Sequence, residues 1–269
     1  MKARGKTGRP TPRPRIAMFQ LNAIYKAIFH AVLALGLAWA AVAHAQTGGL
    51  EGLTFIKKLK LARAGDVEAQ VSVAIDYEQG LNQARKDPVQ AARWFREAAL
   101  AGNLDAQYRL SKLITKGAPG LASDATTAVK LLQDAANRGY PQAQNEMGIR
   151  LQKGDGVTLD VAAAAEMFKK AADQDYVQAE VNLGLLHVRG VGVKQDFELA
   201  FSLFSKASQS GDPWAMNNLG SMYEMGWGTA LDRAKARSLY EQAAAKGNAL
   251  AAENLKRLAG TTASIAPQP

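Results

Sequence analysis

Small and apolar residues recur at fixed positions along the chain, in a repeat of 36 or 37 residues. The units open at Gly65, Gly102, Gly139, Asp175, Gly211 and Gly247. A period of this length is typical of solenoids, in which stacked units bury one continuous core. We expect five complete units, numbered one to five, and a sixth that ends after its first helix. Positions are counted from the opening residue of each unit.

The first part of each unit predicts a helix with a seam of small residues. Alanine occupies position 5 in all six units: Ala69, Ala106, Ala143, Ala179, Ala215 and Ala251. An aliphatic residue or methionine follows four residues later, which is helical spacing. Position 10 is glycine at Gly148, Gly184 and Gly220. Because a glycine within a helix costs about 1 kcal/mol relative to alanine, we expect a closely packed partner helix there.

The second part of each unit predicts another helix, joined to the first by a glycine-containing loop. It begins at an aspartate in all five units: Asp87, Asp124, Asp160, Asp196 and Asp232. A carboxylate at this place accepts unpaired N–H groups and favours the helix dipole. Alanine follows four residues on, and then an aromatic residue or leucine: Phe95, Leu132, Phe168, Phe204 and Tyr240. Each unit is therefore predicted to be an antiparallel helix pair, and the fold class is all-α.

The segments that flank the units are predicted to close the solenoid. Residues 46–64 are interpreted as a linker and an N-terminal capping helix, with Phe55, Ile56, Leu59 and Ala62 inside and Lys57 to Arg63 as its solvated face. Terminal caps cover apolar faces that would otherwise meet water. The solenoid is expected over 65–258, and residues 259–269 as a disordered tail.

The repeated pattern reads A-x-x-x-L-G-x-x-Y-x-x-G-x-G-V, followed by Asp and by A-x-x-W/L-F/Y-x-x-A-A-x-x-G. It resembles that of the SEL-like repeat family, relatives of the tetratricopeptide repeats. The match runs from Gly65 to Leu258. Unit one departs from it in the loop after Gly80, and unit two has Ser111 and Leu132 at the Gly and aromatic positions, so reshaped loops are expected. The resemblance implies a right-handed α-solenoid of helix-turn-helix repeats, whose first helices line a concave face, and a role as a protein-protein scaffold, often in the bacterial envelope.

If the first helices line a groove, positions 4, 7, 11 and 14 share its face. Val181, Leu185 and Val188 then form an apolar stripe beside Trp214, which would suit a peptide or a partner helix. The alternative is that the superhelix buries them. The candidate partner-binding residues on this concave face are Tyr108, Lys112, Asn145, Ile149, Gln152, Val181, Leu185, Val188, Trp214, Asn217, Ser221 and Glu224.

The net charge of +9 is concentrated near the N-terminus. Seven basic residues and no acidic residue precede Ala45, and the 26 basic against 24 acidic residues that follow leave roughly +2. This distribution argues against nucleic-acid binding. An uncharged run from Ala27 to Ala43 leads to Ala43-His44-Ala45, so residues 1–45 are interpreted as a signal peptide cleaved after Ala45. An uncleaved anchor over Ala27 to Leu50 is the alternative, and Met18 is an alternative start. No stable membrane span is expected after cleavage, and the protein is expected to be periplasmic or secreted.

Little in the sequence points to catalysis. The chain has no cysteine, which excludes disulfides and thiolate sites. His187 is the one histidine after the leader, at position 13, where we expect it in or near the core. Hydrolase motifs are missing, and the glycine loops follow helices, as turns do rather than phosphate or calcium loops. No cofactor, no metal and no enzymatic activity are expected.

The sequence therefore favours a non-enzymatic interaction scaffold or regulator in the bacterial envelope that binds a protein or peptide of unknown identity. Two alternatives stay open. One is a binder of peptidoglycan, a cell-wall glycan, or of muropeptides, with weak hydrolase activity; the other is a secreted factor that engages a host protein.

Overall fold

The structure is a computed structural model that describes Leu50 and residues 52–263. The chain divides into two compact parts, Met1–Leu53 and Thr54–Pro269. In the first only Leu50, Gly52 and Leu53 are described, so the predicted signal peptide and its cleavage site lie outside the described residues. The second contains all the described helices, and no strand occurs among its described residues.

Twelve helices follow one another in the described part of the chain. The first, α1, precedes the repeats; α2 to α11 are the first and second helices of units one to five in alternation; and α12 belongs to unit six. Their bounds are α1 Phe55–Arg63, α2 Val67–Gln79, α3 Pro88–Leu100, α4 Leu104–Lys116, α5 Ala125–Asn137, α6 Pro141–Lys153, α7 Val161–Ala172, α8 Val177–Arg189, α9 Phe197–Gln209, α10 Pro213–Met225, α11 Arg233–Ala245 and α12 Ala249–Ala263.

Each helix packs on its neighbours in the chain, and alanines form the contacts. All six alanines at position 5 are fully buried, as are the five at the matching place in the second helices: Ala91, Ala128, Ala164, Ala200 and Ala236. Small side chains at these positions let neighbouring helices approach closely. The predicted small-residue seam is confirmed.

The glycines at position 10 lie against the aromatic ring of the second helix. An added Cβ would be 2.6 Å from Cε1 of Phe168 at Gly148 and 2.8 Å from Cε1 of Tyr240 at Gly220. Carbon atoms do not approach this closely, so only glycine fits beside a ring at these places. The tight contact predicted from the glycines is confirmed.

The five aspartates that start the second helices make the same contacts in every unit. Each carboxylate accepts a hydrogen bond from a backbone N–H of the first turn, for example Asp160 from Ala163 N at 2.9 Å. Each aspartate also donates its own N–H to the carbonyl at position 13, as Asp196 does to His187 O at 3.1 Å. The predicted capping role is confirmed, and position 13 supports it through the backbone.

The loop glycines allow each loop to lie on the preceding unit. Gly192 has φ +73°, and a Cβ there would be 2.6 Å from the carbonyl atoms of Val161 at the start of α7. The loop of unit one follows a different path, as expected. Asn82 and Gln83 adopt positive φ without being glycine, and Asn82 Nδ2 donates to Asp76 Oδ1 at 2.7 Å.

The capping helix α1 is present, but its faces differ from those predicted. Lys58 is buried, and its Nζ lies 3.3 Å from Oδ2 of Asp76, which is 2% exposed. Ile56 is 76% exposed instead. The interpretation of Lys57 to Arg63 as a solvated face is therefore wrong at Lys58. The buried carboxylate of Asp76 needs a counter-charge, and this requirement outweighs the hydrophobicity of Ile56.

The last helix also differs from the prediction. It continues to Ala263 and so enters the segment that was predicted as a tail from residue 259. The first proline after Leu258 is Pro267, so no residue before it removes a helical hydrogen bond. Residues 264–269 lie outside the described residues.

Candidate partner-binding surface

Four of the predicted residues at positions 7 and 14 of the first helices lie between successive units and not on an open face. Asn145, Val181, Asn217 and Glu224 are each 9% exposed or less. Asn145 Oδ1 accepts a hydrogen bond from Nδ2 of Asn182, a position 8 residue, at 2.9 Å, and Asn217 accepts one from Asn254 in the same way. These four residues were predicted to face a partner; their side chains instead bond or pack to the next unit.

The predicted apolar stripe is largely used inside the protein. Val181 belongs to a buried cluster with Phe204 and Leu219, and Leu185 and Val188 pack against that cluster while partly buried. The structure therefore agrees with the alternative that the superhelix buries these residues. Apolar side chains at a contact between repeat units are removed from water, which stabilises the contact. Trp214 remains 53% exposed.

Glu224 joins the last complete unit to α12. Its carboxylate forms two hydrogen bonds with the Arg257 guanidinium, at 2.5 and 2.6 Å, and accepts a third from the Tyr240 hydroxyl at 2.8 Å. The bonds from Arg257 hold the pKa of the Glu224 carboxyl below its ordinary value. Burial raises the pKa of Tyr240 to about 12. This network holds the cap in place and leaves Glu224 little surface for a ligand.

The face that stays open is formed by positions 4, 8 and 11, together with the residues at positions 7 and 14 that remain partly exposed. Lys112 is exposed, and Tyr108, Ile149, Gln152, Leu185, Val188 and Ser221 are partly exposed, so these predicted residues keep accessible surface. Position 8, which the sequence reasoning omitted, is half-buried in all five units: Ser72, Arg109, Glu146, Asn182 and Asn218. Positions 4, 8 and 11 follow helical spacing as well as positions 4, 7 and 11 do. Only the stacking of the units decides between them.

Three tyrosines from consecutive units, together with Lys112, are placed around this open face. We call Tyr108, Tyr140, Tyr176 and Lys112 the tyrosine surface. The rings of Tyr108 and Tyr140 are 5.7 Å apart, and Lys112 Nζ is 5.4 Å from the Tyr108 ring centre. The Tyr140 hydroxyl donates to Asp105 Oδ1 at 2.7 Å. All three tyrosines are half-buried, so each keeps part of its surface accessible to solvent.

Two of these tyrosines occupy places where the other units have a helix cap. In the other four units, the side chain at position 2 accepts a hydrogen bond from the backbone N–H three residues on, at 2.8 to 3.0 Å. These residues are Asp66, Asn103, Asp212 and Asn248. Tyr140 and Tyr176 stand at the same position and form no side-chain cap. Losing such a cap costs about 0.5–2 kcal/mol. The sequence contained this signal, since a local rule broken in two units often marks a functional position.

The phenols of the tyrosine surface stay neutral at ordinary pH. Burial is the main cause that raises the pKa of Tyr108, of Tyr140 and of Tyr176. The hydrogen bond to Asp105 adds to the effect at Tyr140. Neutral hydroxyls can both donate and accept hydrogen bonds. The surface thus combines aromatic area with polar groups and one cation.

His187 has a local structural setting. It is half-buried at position 13, and its Nδ1 lies 3.2 Å from the Lys194 carbonyl in the following loop. Across the described residues, no group of three or more His, Asp or Glu side chains could hold a metal ion.

Comparison with known families identifies the repeat. The sequence matches the Sel1 repeat over residues 67–103, 104–140, 141–176, 177–212 and 215–248, which is more than half of the chain. The chain belongs to the Sel1 repeat family. The resemblance to SEL-like repeats and the all-α solenoid fold are thereby confirmed.

Solved Sel1 repeat structures are similar to this chain. A Sel1 repeat protein from Oxalobacter formigenes is 30% identical with a TM-score of 0.69, covering 76% of this chain and 59% of that one. A protective antigen of uropathogenic Escherichia coli strains with this repeat fold is 28% identical with a TM-score of 0.47, covering 81% and 54%. This chain thus spans little more than half the length of either protein. A search of the curated proteins gives no match.

Sel1 repeat proteins generally mediate protein-protein interactions and are typically not enzymes. That general role is consistent with an open face lined by tyrosines. None of the helices in the described part of this Sel1 protein has both the length and the hydropathy needed to span a membrane.

Proposed function

We propose that this Sel1 repeat protein is a non-enzymatic scaffold or regulator that binds a protein or peptide partner across the open face of its first helices. The tyrosine surface is the anchor of the binding site. Trp214, exposed at position 4 of unit five, provides a further contact for a partner that extends along several units.

The observation that carries this proposal is the replacement of helix caps by Tyr140 and Tyr176. These rings pack partly on the hydrophobic core, and the part of each ring that stays exposed is available to a partner. Tyrosine is enriched at the centres of protein interfaces, because it presents a large amphipathic surface with few rotatable bonds. Lys112 beside Tyr108 adds a charge that can select the partner.

We also propose that the mature protein is located in the bacterial envelope, as a periplasmic or secreted chain. Its support is the basic, then uncharged leader that ends in Ala43-His44-Ala45. A mature N-terminal peptide that begins at Gln46 would agree with export and cleavage. A peptide from residues 1–45 retained in the mature protein would contradict it.

Site-specific photo-cross-linking in cells that express the full chain tests the binding face. A photoreactive phenylalanine analogue replaces Tyr108 or Tyr176, and in matched controls it replaces Lys170 or Glu198, which are exposed on second helices. We expect the same protein adduct from both tyrosine positions and none from the controls. Adducts of equal yield from all four positions, or from the second helices alone, would contradict the proposal.

A further inference from the structure

A cleft with four cationic side chains lies between the loops of units one and two. Its volume is about 950 Å³, and it is bounded by the end of α2, the loop before α3, the end of α4 and the loop after it. The cleft is lined by four exposed cationic side chains, those of Arg85, Lys86, Lys112 and Lys116. These are the two units whose loops depart from the repeat pattern.

The four cations are not neutralised by the part of the protein that the structure describes, since none of them lies within ion-pair distance of a carboxylate there. Two carboxylates also line the cleft, so its four cations and two anions leave a net charge of +2. Asp87 accepts the N–H groups of Val89 and Gln90 at 3.0 Å, and Glu78 Oε2 is 3.9 Å from Arg109 Nη1. Like charges gathered in a concave site raise the local positive potential and attract anions.

The cleft is also partly apolar. Tyr77 and Leu113 are half-buried in its wall, and Pro88 and Pro119 stand at its edges. A nucleic acid would need basic residues along the track of its backbone. Here four cations lie together in one cleft, and the charge beyond Ala45 is only roughly +2, which does not suit a long polyanion. Carboxylates next to apolar side chains complement this lining better.

We propose that the cleft between units one and two binds an extended acidic peptide segment of a partner protein. Asp or Glu side chains of that segment pair with Arg85, Lys86, Lys112 and Lys116. An apolar side chain of the segment packs on Tyr77 and Leu113. Only Lys112 is shared with the tyrosine surface, so this proposal does not depend on the one made above.

The test measures fluorescence anisotropy of a short labelled peptide that alternates Asp or Glu with Leu and Gly, added to the mature chain. A second peptide has Asn and Gln in place of the acids. The variant K86E/K116E changes the cleft and leaves the tyrosine surface intact. The control K153E/K194E changes the net charge equally, and Lys153 occupies the same place at the end of α6 as Lys116 does at the end of α4.

We expect saturable binding of the acidic peptide that weakens as salt rises and no binding of the amide peptide. K86E/K116E should bind at least about tenfold more weakly, and K153E/K194E within about twofold of the unmodified chain. If circular dichroism shows that K86E/K116E is unfolded, K86Q/K116Q replaces it with the same expectation. Three results would overturn the proposal. They are equal losses in both charge variants, no saturable binding of the acidic peptide, and cleft-dependent binding of single-stranded DNA as tight as that of the peptide.

Discussion

Gly184 lies against the ring of Phe204: a Cβ on Gly184 would be 2.6 Å from Cε1 of that ring. The two residues belong to the first and second helices of unit four, and Phe204 is 1% exposed. The ring has nowhere to move without displacing other core atoms. The same pairing of glycine and ring recurs in units three and five, so the distance between paired helices depends on this contact.

Gly184→Ala should therefore destabilise the protein, although alanine is the better helix former. Overpacking a core contact costs about 1–3 kcal/mol, and a contact as short as 2.6 Å belongs to the upper part of that range, above the gain of about 1 kcal/mol in helix propensity. Chemical denaturation measures the change. Ser202→Ala, at an exposed helical site, is the control and should be neutral or slightly stabilising. If G184A were as stable as S202A, the contact would not limit the helix spacing.

Replacing Tyr176 by aspartate should provide the helix cap that this position lacks. Asp at this position can accept the Ala179 N–H, as Asp212 accepts that of Ala215 in unit five at 2.8 Å. Both Tyr176→Asp and Tyr176→Ala lose the ring, but Y176D should be more stable than Y176A by about 1 kcal/mol. Thermal and chemical denaturation of the two variants test this. Equal stability would mean that the position does not act as a helix cap.

The repeat explains why so much of the fold could be predicted and where prediction failed. The role of Asp160, the burial of Ala179 and the contact of Gly184 all depend on one helix or one helix pair, so spacing within a unit sufficed. The open face depends on how units stack, and spacing alone does not separate position 7 from position 8. Asn145 and Val181 were therefore placed on the wrong side. Burial of Lys58 follows from Asp76, eighteen residues away, which no local pattern connects to it.

Lys58→Met should lower the stability of the protein, because it leaves a buried carboxylate without a cation. Asp76 would keep its hydrogen bond from Asn82 but lose its cation, which should destabilise the protein by about 3 kcal/mol. Lys57→Met changes an exposed neighbour on the same helix and should stay within about 0.5 kcal/mol. The double variant K58M/D76L should regain most of the loss, because the charge is removed with its partner. A K58M protein as stable as K57M would contradict the pairing.

The Glu224 network should make stability depend on pH on the acid side. Because the pKa of Glu224 is lowered in the folded state, its contribution is complete above its ordinary value of 4.5 and is lost as pH falls through the lower folded value. Glu224→Gln should cost about 1–2 kcal/mol near neutral pH, since Arg257 is partly solvated. The gap between E224Q and the unmodified chain should shrink near pH 3. Denaturation curves at both pH values measure it, and a gap of constant size would argue against the ion pair.

A partner is expected to bind across the open face of the first helices, and equilibrium binding of the cross-linked partner tests this most directly. Isothermal titration calorimetry compares the unmodified chain with Tyr108→Ala and Tyr176→Asp. Leu100→Ala is the control, because Leu100 is 78% exposed at the end of a second helix. We predict that both tyrosine variants weaken binding by about tenfold or more and that L100A leaves it unchanged. Unchanged affinity in both tyrosine variants, in proteins that remain folded, would contradict the account.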